Sequence, residues 1–475
     1  MDQPASSKPS PEQVLVNPKA PLGTRIAIET RVLNTIGTPM VVVQLLQISV
    51  MVVDTMMAGR YSAADLSGVA IGGSIWFPVF MFLLGILSSL MPTVAQFHGS
   101  NNVAPVAKYV QQSMMQALAF SPLVFILGFY MPQLLELIQV DVATQPIASG
   151  YVRAMALGLP AVLGFNVLRF FSDGLSLTRP AVVASVVALA VNIPLNYLLI
   201  FGKFGFPEMG GVGCGWASAI SFWVMFLFMA AVVFAKKSYA PFHLLKNFHP
   251  PHWPTHKSLL KVGLPIGFSY FVESSMFGVI ALFLASLGPT VVAAHQIALN
   301  FSALVFMVPL SLSMALTVRV GFLVGAQQTQ EARFTAHLGF VFAIVYGLVS
   351  ALMLFFFRSN IASLYSENPE VVAMAATLLS YAAFFQLGDV LQVTAAGVLR
   401  GYKDTRVCML IMIFSFWCFS LPIGYTLAMT DWFGHPWHAE GFWLGLVIGL
   451  FTTGAMLVWR FNSIAKRHLA SSYAT

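Results

Sequence analysis

At 475 residues, 58% of them hydrophobic and only 9% charged, the chain has too little polar side chain to cover a soluble globule of its size. Its net charge of +7 does not mark a nucleic-acid binder, because the basic residues form no stripe with interleaved aromatics and fall between apolar stretches instead. What remains is an all-α integral membrane protein.

The first 30 residues are polar and proline-bearing, without the charged start, short apolar core and small-residue cleavage site of a secretory signal, so no removal is expected. Apolar stretches of the roughly 20 residues needed to cross about 30 Å of hydrocarbon follow at 33–58, 67–92, 108–131, 144–168, 180–201, 212–235, 262–287, 292–318, 336–357, 371–398, 407–429 and 440–460. Twelve transmembrane helices are therefore predicted, and an even number places both termini on one side. Of the 24 Lys and Arg residues, all but Arg60, Arg153, Lys203 and Arg358 fall in tails or connections on that side, Lys8 and Lys246 among them. Positive charge is retained in the cytoplasm, so both termini are expected there.

Residues 236–261, KKSYAPFHLLKNFHPPHWPTHKSLLK, are the longest polar interruption and rich in proline, as suits a joint between halves. His249, His252 and His256 invite a metal reading, but no carboxylate or cysteine accompanies them, and a solvated linker fits better. Cys214, Cys408 and Cys418 fall inside apolar spans and read as small buried hydrophobes rather than a disulfide framework. The expected organisation is a cytoplasmic tail (1–32), an N-lobe of six helices (33–235), the linker (236–261), a C-lobe of six helices (262–460) and a second cytoplasmic tail (461–475).

The halves repeat one another. At an offset of 226, Gly37 and Pro39 stand opposite Gly263 and Pro265; further on, Leu168, Arg169 and Asp173 match Leu399, Arg400 and Asp404, and Tyr151 matches Tyr381. Six helices per half give the two copies the same orientation, so two pseudo-symmetric six-helix lobes related by an axis along the membrane normal are expected to enclose a central cavity.

Of 17 acidic residues, only Asp54, Glu273 and Asp389 fall well inside predicted spans, and no Lys or Arg accompanies Glu273 or Asp389 in its span. An ionised carboxylate at the bilayer centre costs about 2.5 to 3.5 kcal/mol on insertion scales, a cost that a bound proton or metal cation removes and that a structural brace could also offset. Gln47 occupies the position of Glu273 in the first repeat, and Asp54 lies two turns further along the same helix face. Asn192 and Asn196 share a face of the fifth helix, with Pro194 between them freeing a carbonyl, and could join Asp54 in a second polar cluster. The 41 Phe and 23 Met residues suit an adaptable cavity for flat cationic compounds. No Walker lysine motif, GxSxG or HExxH is present, so neither an enzyme nor a bound cofactor is expected.

Several stretches carry a family resemblance: VVDTMMAGRYSAADLSGVAIGGSIW (52–76), PTVAQFHG (92–99), SDGLSLTRP (172–180), NIPLNYLLIFGKFG (192–205), GGVGCG (210–215), VVAAHQIALNFSALVFMVPLS (291–311) and LQVTAAGVLRGYKDT (391–405). With them, residues 30–460 resemble the multidrug and toxic compound extrusion (MATE) transporters, in particular the bacterial NorM-type branch. The resemblance implies a monomeric antiporter of the bacterial inner membrane that expels organic, often cationic, drugs in exchange for sodium ions or protons. It also implies that Glu273 and Asp389 are the cation-coupling carboxylates of the C-lobe, with sodium as their ligand, and that Asp54 is the acidic residue of the N-lobe. Asn192, Asn196 and Gln47 would support them. Relatives with a sodium assignment have a tyrosine four residues before the aspartate, where this chain has Phe385. Protons therefore compete with sodium as the expected ion. A lipid or lipid-linked oligosaccharide flippase is the alternative; it would call for basic residues in the cavity, and only Arg153 lies within a predicted span.

Overall fold

The fold follows from a computed structural model, which describes residues 18–137, 140–244, 248–432 and 434–473. Twelve helical spans cross the membrane: span 1 (Leu22–Tyr61), span 2 (Ala63–Gly99), span 3 (Val106–Leu137), span 4 (Gln145–Gly174), span 5 (Arg179–Phe201), span 6 (Gly211–Ala235), span 7 (Trp253–Ala285), span 8 (Pro289–Gly325), span 9 (Thr329–Ser363), span 10 (Pro369–Gly401), span 11 (Thr405–Met429) and span 12 (His438–Ala470). No strand occurs among the described residues.

The helices outrun the apolar windows at most ends. Span 1 begins at Leu22 rather than 33, and span 7 at Trp253 rather than 262. A hydropathy window registers only the stretch in hydrocarbon, whereas the helix continues wherever caps and packing satisfy its backbone. At the start of span 7, for instance, the His252 ring accepts the Thr255 backbone N–H at 3.3 Å and Pro254 occupies the first turn, where no N–H is missed. Span 11 is interrupted by a π-helical turn, Phe414–Ser420, immediately before Pro422. The Ser420 hydroxyl there donates to the Gly445 carbonyl of span 12 at 2.7 Å.

Spans 1–6 and 7–12 form the two lobes. Span 4 is buried nearly throughout and packs on spans 2, 3 and 6; its repeat partner, span 10, packs on spans 8, 9 and 12. The repeat has diverged in its polar pairs. Arg169 and Asp173 form a buried ion pair at 3.4 Å, whereas Asp404 pairs with Arg460 at 2.6 Å and Arg400 donates instead to the Tyr270 hydroxyl at 2.9 Å.

The lobes are joined near the side that carries the termini. There the Arg319 guanidinium of span 8 holds Glu29 of span 1 at 2.5 Å, the Thr335 hydroxyl donates to the same carboxylate at 3.0 Å, and Arg25 donates to Glu331 at 2.7 Å. Glu29, Arg319 and Glu331 are buried. Backbones meet where side chains are absent: a Cβ on Gly99 would stand 1.9 Å from the Phe322 carbonyl oxygen, and one on Gly85 2.6 Å from the Gly267 Cα. At the far side, the bonds run within each lobe, from the Tyr61 hydroxyl to Glu208 and from the Trp443 indole to His295. The arrangement is a V closed at the terminus side.

Because Gly99 touches the opposite backbone and no flexible side chain can yield, Gly99→Val is expected to hold the lobes apart at the terminus side. The check is the distance between spin labels at exposed positions 26 and 330, which should lengthen in the variant; an unchanged distance would mean that this contact does not set the closure.

Two expectations change. Arg169, Arg319 and Arg400, read as connection residues, lie inside helices and are buried, since each finds a partner within the protein and need not reach water. The linker is not a free solvated joint. Its segment Lys237–Phe242 forms a 3₁₀ turn whose Tyr239 hydroxyl bonds Ser172 at 3.0 Å. Two glutamines of span 3 then clamp the chain beyond it: Gln111 donates to the Leu244 carbonyl at 2.7 Å and accepts the His249 N–H at 2.8 Å, and Gln112 accepts the His252 N–H at 2.8 Å. Lys8 and Lys246 of the charge pattern lie outside the described residues. Cys214 and Cys408 are buried as expected, but Cys418 is exposed.

Candidate ion-coupling site

The N-lobe cluster is built from three helices. Span 1 buries Asp54, whose Oδ1 accepts from the amide nitrogens of Asn196 at 2.6 Å and Asn192 at 3.3 Å, and whose Oδ2 accepts from the Ser218 hydroxyl at 2.5 Å. The two asparagines, one turn apart on span 5, are also bonded to each other at 2.9 Å. Cys214, one turn before Ser218 on span 6, donates to the Asp54 carbonyl at 3.5 Å. Three donors on one carboxylate satisfy it without any basic partner. The Asn196 Oδ1 faces the interior with no bond. Asp54, Asn192 and Asn196 are thus brought together, while Gln47, about two turns away, is only partly buried and makes no bond to the cluster. Ser218 has no mark in the sequence, and Cys214 reads there only as a small buried hydrophobe. The GGVGCG stretch was noted only for its family likeness, and nothing in its spacing ties it to Asp54.

The C-lobe site differs in kind. Glu273 of span 7 and Asp389 of span 10 stand where the two helices meet, one turn from the Phe277 and Phe385 rings that touch at 6.2 Å. Neither makes a hydrogen bond or ion pair among the described residues. Asp389 is buried and Glu273 partly so. Span 10 runs through Arg400 to Gly401, which corrects the expectation that no basic residue shares a span with the pair. The Arg400 guanidinium is engaged by Tyr270, one turn before Glu273. An aromatic wall lines the region between the helices, with Phe385 at 6.2 Å from Phe277 and 5.8 Å from Trp443, centroid to centroid. Phe385 stands one turn before Asp389, as Phe277 stands one turn beyond Glu273.

Two further polar groups of this lobe escaped the sequence reading. His295 is buried against Trp443, whose indole N–H donates to its Nδ1 at 3.2 Å. Gln386 is buried and neither atom of its amide finds a partner. Each is an uncharged residue within its span, and only the packing of the other helices shows that it is buried.

No cluster of three or more His, Cys, Asp or Glu side chains able to hold a metal occurs among the described residues. Histidines 249 and 252 are spent on the strap and the helix cap. What the C-lobe offers is a pair of carboxylates with no thiolate or imidazole cluster beside them among the described residues, a donor set for a hard monovalent cation or a proton rather than for zinc.

Comparison with known proteins places the chain. The MatE family model matches twice, over residues 39–198 and 265–426, and the two matches start 226 residues apart, as the internal repeat does. The chain is 44% identical over 456 residues to the multidrug resistance protein PmpM of Pseudomonas aeruginosa, covering 95% of this chain and 96% of that one. It is 40% identical over 436 residues to the multidrug resistance protein NorM of Photobacterium profundum, covering 92% and 96%, and 42% identical over 444 residues to MdtK of Yersinia pseudotuberculosis, covering 93% and 97%. Among solved structures, the eukaryotic MATE transporter AtDTX14 superposes with a TM-score of 0.85 at 21% identity, covering 94% of this chain and 100% of that one. An outward-facing multidrug resistance MATE transporter superposes at 0.83 and 18% identity, covering 93% and 96%. At these identities the structural likeness is one of fold.

Proposed function

The chain belongs to the MatE family, and from that membership we propose that it is a secondary multidrug efflux antiporter of the bacterial inner membrane, working as a monomer with both termini in the cytoplasm. Residues 33–235 and 262–460 belong to the two moving lobes, and 236–261, which is already the helix of span 7 from Trp253 on, links them. Organic, often cationic, compounds leave through the cleft as cations enter. The observation that carries this reading is that Glu273 and Asp389, neither with a bonded partner among the described residues, lie one turn from Phe277 and Phe385, whose rings meet at 6.2 Å between spans 7 and 10. Two carboxylates so placed repel each other until something positive binds, so a cation gains affinity there and a cationic drug competes for the same charge. Sodium is the ion proposed for the pair, with protons competing. Asp54, held by Asn192, Asn196 and Ser218, provides a second cation-coupling group in the N-lobe.

A flippase is not favoured. The buried arginines of the spans are each engaged, Arg169 with Gln44 and Asp173, Arg319 with Glu29 and Arg400 with Tyr270, whereas a cavity for anionic headgroups would call for free basic residues.

The test is export of an organic cation by cells expressing the chain, compared with cells carrying Asp54→Asn. An amide at position 54 can keep its oxygen toward Asn192 and Asn196 but turns an N–H toward the Ser218 donor and loses the charge, so export should fall severalfold and the melting temperature with it, at about 1 to 3 kcal/mol for a buried mismatch. Full export by the variant would remove Asp54 from the mechanism. Orientation has its own check. Cysteines at Ala143 and Pro436 should react with an impermeant external thiol reagent, and one at Lys257, exposed beside the buried cap residue Thr255, should not; labelling at 257 in intact cells would reverse the topology.

A further inference from the structure

On the reading that Glu273 and Asp389 hold the coupling cation, we infer that Gln386 supplies a further oxygen to that cation and is the residue that favours sodium over a bare proton. Gln386 is fully buried, at 0% exposure, in the middle of span 10. Among the described residues it is the only side chain with both amide atoms buried and unbonded. Nearly all buried polar groups have a partner, so an amide with none marks a place where a water or an ion belongs. Its position says which site that is. Gln386 precedes Asp389 by three residues, which on an α-helix sets the two about 60° apart and about 4.5 Å apart along the axis, on one side of the helix.

The neighbours leave the role to Gln386. Phe385, one turn before Asp389, is committed to Phe277 and Trp443 and carries no oxygen. His295 receives the Trp443 N–H on Nδ1, so its proton sits on Nε2, and a ring nitrogen that donates cannot bind a cation. A proton needs only one carboxylate oxygen. A sodium ion must recover a hydration shell from several oxygens, and a neutral amide carbonyl does so without adding to the repulsion between two carboxylates. Gln386 is therefore a specificity residue, dispensable for a proton and required for sodium.

Binding of radioactive sodium to the purified full-length chain in detergent tests this, with wild type, Asp389→Asn and Gln386→Met measured side by side. Methionine keeps the length and apolar volume and removes the oxygen. Sodium affinity should fall about tenfold or more, as for other residues that tune a metal site, while the melting temperature holds or rises because an unbonded amide has been removed. Gln386→Glu, which keeps an oxygen, should bind sodium at least as well as wild type. Unchanged sodium affinity in Gln386→Met, or lost affinity in a folded Gln386→Glu, would overturn the assignment. Absence of sodium binding in wild type would refute the ion reading beneath it, and the wild-type and Asp389→Asn arms show which of the two has failed. If Gln386→Met does not fold, the Gln386→Glu result decides alone.

Discussion

Glu273→Gln and Asp389→Asn should each reach the membrane in normal amounts and melt no earlier than wild type, yet reduce export of an organic cation to background. The two halves of this expectation have one cause. Neither carboxylate makes a hydrogen bond or ion pair among the described residues, so an amide in its place breaks nothing. An amide also spares the chain the cost, about 2.5 to 3.5 kcal/mol on insertion scales, of a charge at the bilayer centre. What the amide cannot do is attract the incoming cation or release the drug when that cation arrives. Resistance of expressing cells to the drug, read against the amount of protein in the membrane, measures both halves. Export at the original rate by both variants would make the carboxylates structural and the mechanism wrong.

Arg319→Ala is expected to have the largest effect on stability. Arg319 and Glu29 are both buried, and their charges are matched across the lobes at 2.5 Å. Removing the guanidinium strands the carboxylate with only the Thr335 hydroxyl, and a buried charge deprived of its partner costs about 3 to 5 kcal/mol. The melting temperature should drop, and the closed terminus side should open so that Glu29 can reach water. Replacing both partners, Arg319→Met with Glu29→Gln, should recover much of the stability, because a neutral pair leaves no stranded charge. Equal melting of wild type and Arg319→Ala would show that water already reaches the pair. The same pair bears on transport: it must break each time the lobes part on this side, so the double variant should spend more time open to the terminus side.

The twelve helices and the two lobes were legible because hydrocarbon imposes length and apolarity on each span, and because Gly37, Pro39, Gly263 and Pro265 kept their spacing after duplication. The Asp54, Asn192 and Asn196 cluster was legible for a related reason, since polar residues are costly inside a span and stand out. Ser218 did not stand out. A serine costs little in an apolar helix, and its bond to Asp54 spans 164 residues of sequence. The joint between the lobes was also hidden. Glu29, Arg319 and Glu331 sit where helices leave the hydrocarbon, and there a charge reads as solvated until the partner helix is in place. Arg400 shows the same effect at the site itself, and Gln111 and Gln112 show it at the strap.

Transport into proteoliposomes under imposed gradients tests the coupling most directly. Expelling a monovalent cationic drug against an inside-negative potential costs about 2.3 kcal/mol per 100 mV, and one entering cation returns that amount, so a one-for-one exchange runs on concentration gradients alone. With the pH equal on both sides, an opposing sodium gradient should drive uptake of an organic cation by wild type and not by the Glu273→Gln, Asp389→Asn double variant. Transport that ignores sodium and collapses when a pH gradient is dissipated would contradict the sodium assignment, and sodium-driven transport by the double variant would contradict the site.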